Sequence, residues 1–167
     1  MAISLDNKPE SKAIGFAITL ILTGIVAGTA DALAAVINAY VSNEVGPTRV
    51  FQYIASGVFG RQAFEKNSMA IWGVIFHYLI ATSWTFLFLL LYNRLKLQRL
   101  GIWLNSLLYG VFIWLMMNNV VLPLSNVPRG SPTVMKMIIA ALILVVAVGF
   151  PISYMTSKYY KNLSSDH

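Results

Sequence analysis

The chain has 167 residues, 57% of them hydrophobic, and a mean hydropathy of +0.69, well above the roughly half-apolar composition of a soluble domain. The net charge is +6, but the 12 basic residues gather at the ends of apolar runs, as topology determinants do, and form no stripe that would track a phosphate backbone, so nucleic acid is not an expected partner. Cysteine is absent, which removes disulfides, thiolate metal sites and cysteine nucleophiles.

In chain order, residues 1–12 are polar and mixed in charge. The first apolar run, 14–41, contains one acid, Asp31, and no base. A carboxylate at that depth in lipid is costly unless a partner or water reaches it. Read as a helix, the run aligns Gly24, Gly28, Asp31, Ala35 and Asn38 on one stripe, with most of the bulky side chains elsewhere. Gly24 and Gly28 form a GxxxG step that lets another backbone approach, either inside the bundle or across a dimer seam. The Ala32-Leu33-Ala34 triplet has the form of a signal cleavage site, but its run stays apolar to Tyr40, so a retained span is expected.

Residues 42–68 form the longest connection. Pro47 can start a helix in which Arg49, Gln52, Ser56 and Gly60 recur on one side and Val50, Phe51, Ile54, Val58 and Phe59 occupy the other. The segment 47–64 is too short to span, so it is expected to lie at the interface or to dip into it, with Arg49 and Arg61 at wet ends. A second span, 69–92, carries Gly73, His77 and Ala81 on one face. A short connection with Arg94, Lys96 and Arg99 leads to a third span, 101–122, with Asn105 early and Asn118-Asn119 late; Pro123 is expected to end it. After the turn-rich stretch around Asn126, Pro128, Arg129 and Gly130, a fourth span covers 133–154, with Lys136 in its first turn and a kink at Gly149-Phe150-Pro151.

The expected fold is therefore an all-α integral membrane protein: one domain over 1–167, a four-transmembrane-helix bundle with an interfacial or re-entrant amphipathic helix between spans 1 and 2. Seven basic residues fall on one side and five on the other, and the compact Arg94–Arg99 cluster places both termini in the cytoplasm. In that orientation Asp31 and His77 share a depth in the outer half, with Asn118, Asn119 and Lys136 also toward the outer end, while the inner half shows little beyond Asn105.

A ligand or proton site made of Asp31 and His77, completed by Asn118 or Asn119, follows from that convergence, since an acid and an imidazole exchange protons near neutral pH. The opposing reading is that the pair only holds the bundle together. Arg49, Arg61, Arg129 and Lys136 are candidates for an anionic head group at the outer surface, or simply solvated charges at span ends. Gly24, Gly28 and Gly73 are the candidate packing positions. One internal histidine cannot ligate a haem on both sides, no metal cluster is visible, and no nucleophile elbow or phosphate cradle occurs, so no cofactor and no catalytic residue is expected.

Gly110, Asn118, Pro123-Leu124 and Pro128, with the Gly24/Gly28 first span and His77 in the second, resemble the YagU-like family of small bacterial inner-membrane proteins. The chain departs from that family's pattern at Asn118, where a histidine is expected. The resemblance implies a bacterial inner-membrane location and brings no activity with it. Three functions are in contention: a small transporter or ligand-binding protein with its site in the outer half, a non-catalytic subunit or scaffold packing through Gly24/Gly28 as a homodimer or on another membrane protein, and a lipid-modifying enzyme.

Overall fold

The computed structural model describes residues 8–128, 130 and 133–165. Among them the secondary structure is entirely helical. Helix α1 is Lys8–Asn43, α2 is Pro47–Phe59 and runs into a tight 3₁₀ turn at Gly60–Phe64, and α3 is Met69–Arg94. Helix α4 covers Gly101–Leu124 and α5 covers Val134–Ser164. Four of these, α1, α3, α4 and α5, are long and apolar enough to cross a membrane. Their outward faces carry large apolar side chains in continuous bands, such as Leu22, Leu33 and Ile37 on α1, Leu79 on α3 and Leu108 on α4, all exposed. A water-soluble monomer rarely presents such surface.

Helix α1 packs antiparallel on α3 and also against α5, α4 packs on α5, and α2 lies across α3. Glycines set these crossings. A Cβ added at Gly24 would meet Thr82 Oγ1 at 2.8 Å, and one at Gly28 would meet the Tyr78 ring at 2.9 Å. The GxxxG face is thus covered by α3 of the same chain, the packing inside the bundle that was one of its two expected uses. At Gly73 a Cβ would collide with the backbone carbonyl of Phe51, which brings α2 directly onto α3. The α4–α5 crossing uses Gly110 and Gly149, whose absent side chains admit the backbones of Val145 and Ser106 respectively.

Two prolines lie inside long helices, and each follows a widened π turn: Met117–Val121 before Pro123, and Leu144–Gly149 before Pro151. A proline in a regular helix clashes with the carbonyl four residues back and leaves it without a donor. The wider turn relieves that conflict, and such bulges are a recognised cause of helix bending. Helix α4 ends at Leu124, one residue past Pro123, as expected of a proline at that place, and α5 extends ten residues past Tyr154.

Helix α2 differs from the sequence expectation in its facing. Gln52 and Ser56, placed on the polar side, are buried with Ala55, whereas Tyr53 and Val58 are exposed. The reason is local: Gln52 Nε2 donates to the Lys66 carbonyl at 3.0 Å and Ser56 Oγ to the Tyr53 carbonyl at 2.6 Å, so both polar groups are satisfied without water. From the far side, Asn126 clamps the helix end, its backbone N–H donating to the Gly57 carbonyl at 3.0 Å and its amide to the Val58 carbonyl at 3.1 Å.

The half of the bundle nearer the chain ends is also more polar than expected. Thr23, Thr85, Ser106, Ser153, Thr156 and Ser157 are all buried there. Thr85 and Ser106 donate to carbonyls one turn back, of Ala81 and Ile102, at 2.9 and 2.7 Å. A hydroxyl bonded back to its own helix leaves little trace in a hydropathy pattern, whereas the buried hydroxyls of Thr23, Ser153 and Thr156 make no hydrogen bond among the described residues.

The core joins these pairs through aromatic contacts. Phe88 of α3 and Tyr109 of α4 have ring centroids 4.6 Å apart, and the Tyr109 hydroxyl donates to the Trp84 carbonyl. Tyr109→Phe keeps the ring and removes that link between α3 and α4. It is expected to lower unfolding free energy by about 1 kcal/mol, measured by thermal or denaturant unfolding in mild detergent.

Candidate functional site

The α1–α3 register decides the geometry. With Gly24 against Thr82 and Gly28 against Tyr78 and Ala81, the next turn of α1 brings Asp31 to the level of His77. Gly28 has a second role here. Because α3 comes so close, His77 Nε2 reaches the Gly28 carbonyl at 2.7 Å in a buried contact. A carbonyl can only accept, so Nε2 is the donor in this contact. The ring is further held edge-on by Phe51 and Tyr78, at centroid distances of 6.3 and 5.5 Å. One hydroxyl bond, Thr29 Oγ1 to Tyr78 Oη at 2.8 Å, fixes Tyr78 in turn.

Asp31 and His77 line one partly open cavity of about 200 Å³. All five helices contribute to it: Asp31, Ala32 and Ala35 from α1, Val50, Phe51 and Ile54 from α2, His77, Ile80, Ala81 and Trp84 from α3, Ile113 and Met117 from α4, and Leu144 and Val148 from α5. Among these, Asp31 and His77 alone are ionisable, and everything else is aliphatic or aromatic except the Met117 thioether and the Trp84 indole nitrogen. The volume suits a few waters or a small molecule, and water in a cavity is stable where polar groups can hold it. The first turns of α2 form one wall, which explains why a helix too short to span is docked tightly at Gly73.

The asparagines do not belong to this cavity. Asn118 and Asn119 lie in the widened turn of α4 with exposed side chains, and each amide donates to its own helix, to the Trp114 and Leu115 carbonyls, both at 2.8 Å. The completing role expected of them is not supported by this placement: the widened turn aims both side chains away from the lining face. The cationic candidates are likewise dispersed. The Arg49 guanidinium sits 4.2 Å over the Phe64 ring, Lys136 Nζ donates to Asn43 Oδ1 at 3.3 Å, and Arg61 is exposed. Arg129 lies outside the described residues. Among the described residues there is no group of three or more potential metal-ligating side chains.

Sequence reasoning missed Phe51, Trp84, Ile113 and Val148 as walls, because apolar residues on apolar helices carry no mark of the face they line. It also missed the hydrogen bond that His77 donates, whose only signal is a glycine three residues before the acid. No protein-family model matches the chain, and no curated protein or solved structure is significantly similar to it.

Proposed function

We propose that this is a multi-pass protein of the bacterial inner membrane, with both termini cytoplasmic, and that the Asp31–His77 cavity is a small-ligand site of a carrier or binding protein, reached from the outer side. The observation that carries this reading is the meeting of an acid and an imidazole from different helices in one partly open, otherwise apolar cavity. An intramembrane carboxylate is retained at a cost, and facing an imidazole across such a space it is suited to proton-linked binding. Basic residues favour the same orientation, since the short connection after α3 carries Arg94, Lys96 and Arg99. The resemblance to the YagU-like family agrees with the location. With α3 seated on Gly24 and Gly28, a scaffold role through that face is the weaker reading.

The absence of native cysteine allows a direct test. Ala35→Cys places a thiol in the cavity wall, and Ala27→Cys, in a fully buried position, is the control. In intact cells, a small membrane-impermeant thiol reagent added outside is expected to label the first and not the second. A cationic reagent should react faster than an anionic one of equal size, and Asp31→Asn should reduce that ratio about fivefold, the effect of a nearby charge worth roughly 1 kcal/mol. Labelling only after denaturation, or a ratio indifferent to Asp31→Asn, overturns the proposal.

A further inference from the structure

A second cavity, of about 580 Å³, opens at the other end of the bundle, where the start of α1, the end of α3, the start of α4 and the last turns of α5 converge. We propose that it binds the phosphate-bearing head group of an anionic phospholipid. Lys12 and Lys161 both line it, on separate helices, with the amides of Asn93 and Gln98 and the hydroxyl of Ser157 as further donors. Ammonium, amide and hydroxyl groups together are the chemistry that a phosphodiester recognises.

The cavity has rigid walls. Tyr92 and Tyr160 stack at 5.1 Å, and the Tyr160 hydroxyl donates to the Leu89 carbonyl at 3.0 Å, fixing α5 to α3. The Tyr159 hydroxyl donates to the Lys12 carbonyl at 3.4 Å, which ties the start of α1 to the end of α5. Asn105 Nδ2 donates to the Leu97 carbonyl at 2.8 Å and holds the α3–α4 connection against α4. A site built before its ligand arrives loses less ordering entropy on binding.

The composition of the lining, more than the charge of the whole end, points to an anionic lipid rather than a free anion. Over the full sequence both ends are basic to a similar degree, with Lys8, Lys12, Arg94, Lys96, Arg99, Lys158 and Lys161 against Asp6, Glu10 and Asp166 on this side and Arg49, Arg61, Lys66, Arg129 and Lys136 against Glu44 and Glu65 on the other, but only here, among the described residues, do two lysines from separate helices line one cavity. The lining also continues from the lysines onto Ile102 and Leu163. Free phosphate has no use for that apolar part; a glycerol and its first methylenes do. The site is separate from the Asp31–His77 cavity and does not depend on what that cavity binds.

The test uses the full chain in a neutral detergent, with short-chain phosphatidylglycerol, phosphatidylcholine of the same chain length, and inorganic phosphate as three separate probes. Affinity is read by native mass spectrometry and thermal stabilisation. Phosphatidylglycerol is expected to bind at least tenfold more tightly than phosphatidylcholine. Lys12→Gln with Lys161→Gln should weaken it about twenty-five-fold, from about fivefold for each lysine. Lys12→Arg with Lys161→Arg should retain it. Lys158, exposed in a different groove beside Leu22 and Tyr154, supplies the control: Lys158→Gln removes one charge from the same end and should change affinity less than twofold. Equal losses in the control and the cavity variants reduce the effect to diffuse attraction and overturn the proposal. So does equal binding of phosphatidylcholine, and so does saturation by inorganic phosphate at the affinity of the lipid.

Discussion

Gly73→Val is expected to detach α2 from the bundle while leaving the long helices in place. A Cβ at position 73 lands on the carbonyl group of Phe51, and the obstacle is backbone, so no side-chain rotation can relieve it. The only relief is movement of α2 as a body, with loss of the buried contacts of Gln52, Ala55 and Ser56. Overpacking against a fixed backbone costs about 3 kcal/mol or more. That is a large share of the stability of a small helical domain. Because Val50, Phe51 and Ile54 wall the Asp31–His77 cavity, displacement of α2 also opens it. Limited proteolysis after Arg49 and Arg61 should accelerate at least tenfold, and a thiol introduced at Ala35 should react faster, while most of the helical signal in circular dichroism persists. Unchanged cleavage and an unchanged unfolding midpoint would show that α2 does not depend on the crossing at Gly73.

The contrast between Gly73 and Asp31 shows what was readable from the chain alone. The four long apolar helices were legible because runs of about twenty consecutive apolar residues, the length that lipid demands, stand out in any sequence. Asp31 and His77 were legible for the same reason, as polar groups in runs where polarity is expensive. Their placement at one level required only helix geometry and a two-way topology. The facing of each helix was not legible. A span that is apolar all round has no hydrophobic stripe to orient it, so Asn118 and Asn119 looked as central as His77 although their amides are satisfied by their own helix. Helix α2 does have a stripe, yet Gln52 and Ser56 face inward because neighbouring carbonyls take up their donors. The widened turns before Pro123 and Pro151 were hidden as well, since a proline announces a conflict with the regular helix without saying whether it is resolved by stopping, kinking or widening.

Gly149→Val is expected to be the most damaging single change in the α4–α5 pair. Here two glycines work on opposite sides of one crossing. A Cβ on Gly149 would strike the Ser106 carbonyl oxygen and come within 3.3 Å of the Gly110 nitrogen, while a Cβ on Gly110 would meet the Val145 backbone nitrogen at 2.8 Å. Both contacts are with main chain, and Gly149 closes the widened turn that accommodates Pro151, so α5 cannot slide locally without disturbing that turn. Separation of α4 from α5 is left as the relief. It would pull Ile113 away from Val148, two buried core residues that also line the Asp31–His77 cavity. The expected loss is about 3 kcal/mol or more. Gly46 calibrates the measurement: a Cβ there has nothing within 4 Å and its φ is −76°, so Gly46→Ala should stay within about 1 kcal/mol of the parent chain. Unfolding followed in the same detergent should therefore separate the two variants widely. The Gly149 variant should also lose the Phe88–Tyr109 contact reported by near-ultraviolet dichroism, which Gly73→Val leaves intact. Equal midpoints for Gly149→Val and Gly46→Ala would mean that α4 and α5 do not meet backbone to backbone, and the five-helix enclosure of Asp31 and His77 would lose one of its walls.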